Sequence, residues 1–184
     1  MTRAAFLDLN GTLVMPVQAT HPREYVLLPM VVEAVRLLNR EGFACPVVTV
    51  QSRIGKGLYS IEDFLSWLSH FRANLSAAGA AVEGPYLCPH WREDRCVCKK
   101  PQTYLYHQAA RELGIDVVRS VVIGDTTADV LTARDLGCPS CLVRTRWGEE
   151  AILRDRADEL AEYVAADVLE AARWVISTAS GGSA

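Results

Sequence analysis

The sequence predicts an α/β fold in which a parallel β-sheet is covered by helices on both faces. Short apolar segments alternate with longer segments of helical periodicity along the 184 residues, as they do in βαβ units. Several of the apolar segments end in acidic or hydroxyl-bearing residues, which is typical of strands that point at a ligand site. Half of the residues are hydrophobic, enough for one buried core. We therefore expect a single domain over residues 1–177 and a flexible tail over 178–184.

Composition and charge narrow the class of protein further. The net charge of −3 supplies no bulk attraction to nucleic acid. No apolar run approaches the roughly 20 residues of a membrane span, and the start of the sequence lacks the basic and apolar regions of a signal peptide. We expect a cytoplasmic protein with neither nucleic acid nor membrane as a partner, present as a monomer or weak dimer. Its six cysteines are then reduced, and serve as metal ligands or core residues.

The first predicted strand covers residues 4–7 and ends at Asp8, which an Asn-Gly turn at 10–11 follows. A carboxylate at the carboxyl end of a parallel strand can be a nucleophile, a metal ligand or both. The segment 14–28 has no clear period and is predicted to be a loop that can reach over this end. Three of its polar residues are either substrate contacts or solvated side chains: His21, Arg23 and Glu24.

Two helices and two strands follow. Pro29 fits the first turn of a helix that Gly42 ends, and 46–52 is a strand whose carboxyl end carries hydroxyl groups. Taken alone, Thr49 is a β-branched residue that suits any strand. An amphipathic helix is predicted over 60–78 and a strand over 81–87.

Four possible metal ligands lie within eleven positions after that strand: Cys88, His90, Cys96 and Cys98. Zinc prefers a tetrahedral set of sulfur and imidazole donors, and a closed set of four is usually structural. The alternative is a group of reduced core thiols, but the spacing favours a structural zinc. Lys99 and Lys100 follow at once, and they are either aimed at the site by the metal-fixed loop or form a solvated charge pair.

A second acidic pair lies further along the chain. The predicted helix 103–113, with Tyr104 on its inner face, precedes a strand over 117–123 that runs into Asp125. Asp129, four residues later, falls on the first turn of the next helix, so both carboxylates point to one place. Mg²⁺ prefers such oxygen ligands, although a helix-start carboxylate is also favoured by the helix dipole. The remaining predicted elements are a strand over 140–143, a helix over 149–160, an edge strand over 163–165 and a helix over 167–176.

Four of these segments, in order, resemble the motifs of the haloacid dehalogenase (HAD) superfamily of phosphohydrolases, over about residues 4–147. Residues 8–12 resemble its Asp-x-Asp-Gly-Thr motif, and 124–129 resemble Gly-Asp-x-x-x-Asp. The resemblance implies a three-layer Rossmann-like fold in which Asp8 attacks phosphorus, while Thr49 and Lys100 neutralise phosphoryl oxygens. It also implies Mg²⁺ ligands: Asp8, the Asn10 backbone carbonyl, Asp125 and Asp129.

The chain resembles one branch of the superfamily more closely than the others. Residues 48–57 and the Cys-x-His…Cys-x-Cys loop are similar to those of subclass III, the D-glycero-D-manno-heptose-1,7-bisphosphate phosphatases and their histidinol-phosphate phosphatase relatives. The sequence departs from that branch at Val50, Arg53 and Lys99, where the branch has Asn, Gly and Arg. The resemblance implies a structural zinc, no large cap domain, and a small phosphate ester of heptose-bisphosphate type as substrate. Its substrate-binding residues would be Gln51, Ser52 and Lys99.

Asn10 stands where the superfamily has its general acid/base Asp. The replacement leaves the backbone carbonyl of residue 10 available as a metal ligand. It removes general acid–base catalysis, which typically contributes a factor of roughly 10² to 10⁴ to the rate. The chain is then a phosphatase that is slow, or whose leaving group needs little protonation, such as an acyl or anomeric phosphate. Alternatively it is a weak relative that binds a phospho-ligand or passes the phosphoryl group to another acceptor, or it carries a deliberate Asp→Asn change that traps a complex. The complete metal set favours the first explanation.

Overall fold

The structure is a computed structural model that describes residues 1–180, except for the side chains of Arg92, Arg146, Trp147 and Ser180. The nine strands in this range are β1 Arg3–Leu7, β2 Val14–Met15, β3 Val26–Leu27, β4 Phe43–Ala44, β5 Pro46–Val50, β6 Glu83–Cys88, β7 Val121–Gly124, β8 Ser140–Val143 and β9 Tyr163–Ala165. The α-helices are α1 Val31–Arg40, α2 Ser52–Gly55, α3 Ile61–Ala77, α4 Tyr104–Leu113, α5 Thr127–Leu136, α6 Arg146–Asp155 and α7 Val168–Ser180. Short 3₁₀ turns lie at Pro22–Glu24, Arg92–Asp94 and Ala157–Glu159.

The main sheet is parallel, with the strand order β6-β5-β1-β7-β8-β9 and the short β4 also paired with β1. The chain builds outward from β1 through β5 to β6, and then returns to the other side of β1 to form β7. This reversal is a topological switch point, where a crevice opens beyond the carboxyl ends of the strands. Leu7, the last residue of β1, pairs with both Val47 and Ile123, so Asp8 follows β1 at the carboxyl edge of the sheet, between β5 and β7.

Helices cover both faces of the sheet. Apolar residues of α1, α3 and α7 pack with those of the sheet into the larger core cluster, and α4 and α5 pack with the sheet into the second. A smaller cluster lies beside α6. The predicted fold class is thus confirmed. None of the helices in residues 1–180 has the length and apolar character that crossing a membrane requires.

Several predicted boundaries were wrong, for local reasons. The segment 14–28 is not a plain loop, because β2 and β3 pair as an antiparallel hairpin. Pro29 lies before the helix rather than in its first turn, since Met30 adopts a left-handed conformation and α1 begins at Val31. The strand predicted at 117–123 is shorter, and the helix predicted at 149–160 starts earlier and ends in a 3₁₀ turn. The last helix includes residues 178–180 of the predicted tail, while 181–184 lie outside the described residues.

Candidate active site

A buried ion triad lies at the carboxyl edge of the sheet. The ammonium group of Lys100 donates to Asp8 Oδ1 and to Asp129 Oδ1, both at 2.6 Å. Only 4% of the lysine side chain is exposed, against 11% for Asp8 and 3% for Asp129. Lys100 and Asp8 are 92 positions apart in the chain, so the fold alone brings them together.

The charges of this cluster are not balanced. Burial raises the pKa of Asp8 to about 6, against the opposing effect of Lys100. Burial, Asp8 and Asp129 together raise the pKa of Asp125 well above its usual value. Burial lowers the pKa of Lys100, but the two neighbouring carboxylates outweigh that effect and hold it well above the usual value. Three carboxyl groups therefore share one ammonium, and a further cation would stabilise their ionised forms.

The carboxylate of Asp125 has the properties expected of a ligand for a hard cation such as Mg²⁺. Its Oδ1 is buried and has no hydrogen-bond partner among residues 1–180, and Thr145 Oγ1 lies 3.5 Å from its Oδ2. Gly11 has a φ of +93°, and a Cβ there would lie 1.8 Å from Asp125 Oδ2. Glycine at this position therefore lets the turn after β1 approach the second carboxylate. Carboxylate oxygens with an unused coordination position fit Mg²⁺.

Asp129 is held differently. Its Oδ1 accepts a hydrogen bond from the Lys100 ammonium group, while its Oδ2 accepts from the Thr126 hydroxyl at 2.6 Å and from the Thr126 backbone N–H at 3.2 Å. The bond from the Thr126 backbone N–H is part of a capping box at the start of α5. Asp129 thus orients Lys100 and begins a helix, and both of its oxygens already have protein partners.

Gln51 connects Thr49 to Asn10. Its Nε2 donates to Thr49 Oγ1 at 3.0 Å and to Asn10 Oδ1 at 2.5 Å. The hydroxyl groups of Tyr25 and Tyr59 lie 3.1 and 2.8 Å from its Oε1. Asn10 Nδ2 is buried and has no partner in the described part of the chain.

A cavity of about 210 Å³ opens at this edge of the sheet, lined by Asp8, Asn10, Val17, Val50, Lys99, Lys100, Thr126 and Ala128. Four of the predicted site residues line it: Asp8, Asn10, Lys99 and Lys100. Gln51 and Thr49, also predicted, lie behind Asn10. Ser52 begins α2 and is not among the lining residues. His21 and Arg23 line a separate hollow against α3, and Glu24 bonds Thr20 and His21.

The predicted zinc ligands form one cluster. The donor atoms of Cys88, His90, Cys96 and Cys98 all lie within 4.8 Å of one another. Cys88 Sγ is 3.6 Å from Cys96 Sγ, and His90 Nδ1 is 3.2 Å from Cys98 Sγ. Donors at about 2.3 Å from a tetrahedral zinc are about 3.7 Å apart, so this cluster fits the ion.

The surroundings of Cys96 favour its thiolate form, and backbone hydrogen bonds hold the loop in place. Burial raises the pKa of Cys96, but hydrogen bonds from the Cys98 and Lys99 backbone and from the neighbouring thiols lower it to about 7. Backbone bonds from Gln51 N to Cys88 O and from Gly55 N to Pro89 O, at 2.8 and 2.9 Å, attach the loop to the start of α2. The loop that carries Lys99 and Lys100 is therefore anchored beside the cavity.

Sequence reasoning missed four residues that hold the site: Tyr25, Tyr59, Thr126 and Tyr106. Tyr106 is 1% exposed, lies near Lys100 and packs on Phe6 with ring centroids 5.2 Å apart. It was predicted that Tyr104 would be the inward tyrosine of α4, yet Tyr104 is 50% exposed. The spacing of Tyr106 and Ala109 on one helix face could have identified it. Tyr25 and Tyr59 carry no such signal.

Comparisons with known proteins agree with this geometry. A family model for HAD-hydrolase-like proteins matches residues 97–171. The D-glycero-D-manno-heptose-1,7-bisphosphate 7-phosphatase of Thermosynechococcus vestitus is 32% identical, over 94% of each chain. The D-glycero-β-D-manno-heptose-1,7-bisphosphate 7-phosphatase of Haemophilus influenzae is also 32% identical, over 71% of this chain and 74% of the relative.

Solved structures show the same relationship. The D,D-heptose 1,7-bisphosphate phosphatase of B. bronchiseptica, complexed with magnesium and phosphate, superposes with a TM-score of 0.87 at 25% identity, covering 96% of this chain and 99% of that one. The corresponding enzyme of Burkholderia thailandensis gives a TM-score of 0.64 at 27% identity, covering 95% and 99%. The chain therefore belongs to the heptose-bisphosphate phosphatase family of the haloacid dehalogenase superfamily, and is a phosphoric monoester hydrolase.

Proposed function

We propose that this protein is a magnesium-dependent phosphatase that hydrolyses a small sugar phosphate of heptose-bisphosphate type, with Asp8 as the nucleophile. The observation that carries the proposal is the ion triad, in which Lys100 holds one oxygen of Asp8 at 2.6 Å beside an open cavity. The names of the relatives support the substrate class. The unpartnered oxygen of Asp125 supports the metal.

The chain's own residues perform the steps as follows. The Asp8 oxygen that does not accept from Lys100 attacks phosphorus, and the bond to the leaving oxygen breaks with its electron pair, which gives an aspartyl-phosphate. Water then attacks phosphorus, releases inorganic phosphate and restores the Asp8 carboxylate. Lys100 and the Thr49 hydroxyl neutralise the phosphoryl oxygens in both steps. Magnesium, when bound to Asp8, Asp125 and the Asn10 backbone carbonyl, supplies further positive charge at the phosphoryl group.

Asp129 has a positioning role in this proposal. Because Lys100 and Thr126 occupy its oxygens, it would contact the metal only through water, and its direct work is to aim the ammonium group of Lys100. The zinc-ligand cluster has a comparable role at longer range. A structural zinc held by Cys88, His90, Cys96 and Cys98 would fix a loop that is too short for a core of its own, and would so place Lys99 and Lys100.

Asn10 restricts the substrates. It cannot give a proton to the leaving oxygen, so substrates whose leaving group departs as a weak base are favoured, as in acyl and anomeric phosphates. The same residue favours a second candidate function, in which a catalytically weak chain binds a phospho-ligand or transfers its phosphoryl group to another acceptor.

The test measures inorganic phosphate release, with and without Mg²⁺, from acetyl phosphate, an anomeric sugar phosphate and D-glycero-D-manno-heptose-1,7-bisphosphate. The protein is compared with Asn10→Asp and with Asp8→Asn, and the mass of residue 10 is verified because Asn-Gly sequences deamidate. Turnover by the unaltered protein that Asp8→Asn abolishes supports the phosphatase. Activity of Asn10→Asp alone supports the binding function. Inactivity of both proteins, despite bound Mg²⁺, would refute the phosphatase.

A further inference from the structure

Gln51 lies at the centre of a buried polar network. Only 2% of the residue is exposed, and its amide contacts four side chains that come from separate segments. Tyr25, from the hairpin, and Tyr59, from the segment before α3, both face Oε1. Thr49 and Asn10 both face Nε2. A primary amide has two acceptor positions on oxygen and two N–H groups, so this arrangement uses its full hydrogen-bonding capacity.

The two tyrosines decide which way the amide points. Burial raises the pKa of Tyr59, so its hydroxyl keeps its proton. Both hydroxyl groups can donate only if the atom facing them is an acceptor, which makes it Oε1. In the reverse orientation Nε2 would face them. One tyrosine hydroxyl could then donate to the other, whose oxygen is 3.3 Å away, but the second hydroxyl would have no acceptor within the network.

The orientation of Gln51 in turn sets that of Asn10. Since Nε2 of Gln51 is a donor, the atom of Asn10 that faces it must be Oδ1. Asn10 Nδ2 then points away from Gln51, and it is buried with no partner among the described residues. Asn10 lines the same cavity as Asp8 and Lys100, so a molecule bound there could supply the acceptor that this NH₂ group lacks.

We infer that Gln51, held by Tyr25 and Tyr59, is a positioning residue that fixes the Asn10 amide as a neutral hydrogen-bond donor to a phosphoryl or leaving-group oxygen of the substrate. The inference rests on the proposed phosphatase function. Asn10 then replaces the acid of the superfamily motif by a donor that stabilises charge without transferring a proton. Thr49 gains from the same orientation, because it accepts from Gln51 and keeps its own proton for the phosphoryl group.

The principal test is Gln51→Glu. A carboxylate still accepts from both tyrosines but has no N–H, so Asn10 must turn its NH₂ toward residue 51 and its Oδ1 toward the substrate. Gln18→Glu is the matched control, because Gln18 is an exposed residue of the loop that leaves β2 and the charge change is the same. With acetyl phosphate and Mg²⁺, we expect Gln51→Glu to lower kcat about 10- to 100-fold, the factor of one hydrogen bond to a charged group. Gln18→Glu should change it less than about twofold.

A second readout does not depend on turnover. The side-chain NH₂ resonance of Asn10, assigned by its loss in Asn10→Asp, should shift when inorganic phosphate is added to the Mg²⁺-loaded protein, and should not shift in Gln51→Glu. If Gln51→Glu unfolds, the double variant Tyr25→Phe with Tyr59→Phe frees the Gln51 amide to reverse and should lower kcat about 2- to 10-fold.

Three outcomes are decisive. A shift of the Asn10 resonance together with a specific loss in Gln51→Glu supports the inference. Equal kcat values in Gln51→Glu and Gln18→Glu, or an Asn10 resonance that phosphate leaves unchanged, overturn it while the phosphatase stands. If phosphate shifts the Asn10 resonance but neither the unaltered protein nor Asn10→Asp turns over any substrate, the positioning role stands and the proposed function falls.

Discussion

Replacing Lys100 by Met removes the only ammonium group of the triad and keeps a side chain of similar length. Lys100 donates to two carboxylates at 2.6 Å, and all three side chains are almost fully buried. Asp8 and Asp129 would then be left close together without the cation that compensates them. We expect a large loss of stability in the metal-free protein and a loss of phosphatase activity.

The size of the stability loss follows from the contacts. Each charge-assisted hydrogen bond contributes roughly 1.5–3 kcal/mol, so two contribute about 3–6 kcal/mol. A second, independent estimate agrees, because removing one partner of a buried ion pair generally costs about 3–5 kcal/mol. We expect the free energy of unfolding to fall by about 3–5 kcal/mol at pH 8. At pH 5 the loss should be smaller, because the pKa of Asp8 is already raised to about 6 and the protonated carboxyl group needs no counter-charge.

Urea denaturation in chelator-treated buffer, followed by tryptophan fluorescence at both pH values, measures this loss. Lys99→Met is the matched control: it is the same change at the next residue, which is half-buried and lies 5.9 Å from the Trp91 ring. We expect it to cost less than about 1 kcal/mol. Equal losses in the two variants, or a loss at Lys100 that does not depend on pH, would refute the electrostatic reasoning.

Three further predictions concern the carboxylates, the first turn and the zinc-ligand cluster. Asp125→Asn should raise the melting temperature of the metal-free protein by several degrees at pH 8 and abolish stabilisation by Mg²⁺. The reason is that the folded pKa of Asp125 is raised, so its stabilising effect is present below the unfolded pKa and is lost as pH rises through the folded value. Gly11→Ala should lower kcat at least 10²-fold, because its Cβ would displace Asp125 Oδ2. Cys96→Ser should lower the zinc content from about one ion per chain toward zero, and reduce kcat with it.

Each of these predictions has its own control. For Asp125→Asn, scanning calorimetry at pH 5 should show a smaller gain than at pH 8; an equal gain would exclude titration as the cause. Gly57→Ala has the same kind of left-handed backbone, at φ +71°, but no atom within 4 Å of the added Cβ. It should cost about 1–2 kcal/mol of stability and keep activity, and equal inactivation would contradict the clash. Cys138 is a buried thiol outside the cluster, so Cys138→Ala should retain zinc by elemental analysis.

Local patterns were sufficient for most of the fold. The strands before Asp8 and Asp125 are apolar runs that end in an acid, and their alternation with helical segments is enough to predict a parallel sheet. The cluster of Cys88, His90, Cys96 and Cys98 was equally accessible as a possible metal site, because its four residues lie within one short segment. The hairpin of β2 and β3 was not, since two-residue strands leave no periodicity to detect.

The helix phase of α4 shows where pattern reasoning loses precision. Tyr104 and Tyr106 are two positions apart, and which of them faces inward depends on how the helix is rotated against the sheet. The structure buries Tyr106 beside Phe6 and Lys100 and leaves Tyr104 half exposed. An error in helix phase therefore hid the tyrosine that lies beside the central lysine.

By itself, the sequence determined the fold class, the edge of the sheet where the candidate site lies, and the identity of the charged residues that meet there. These features depend on residue type and on short-range spacing, which a chain displays directly. Only the tertiary structure decided that Lys100 lies between Asp8 and Asp129, and that Gln51 connects two tyrosines to Asn10. Such hydrogen bonds join segments far apart in the chain, and they form or fail over tenths of an ångström, which only the packing of hairpin, helices and sheet can set.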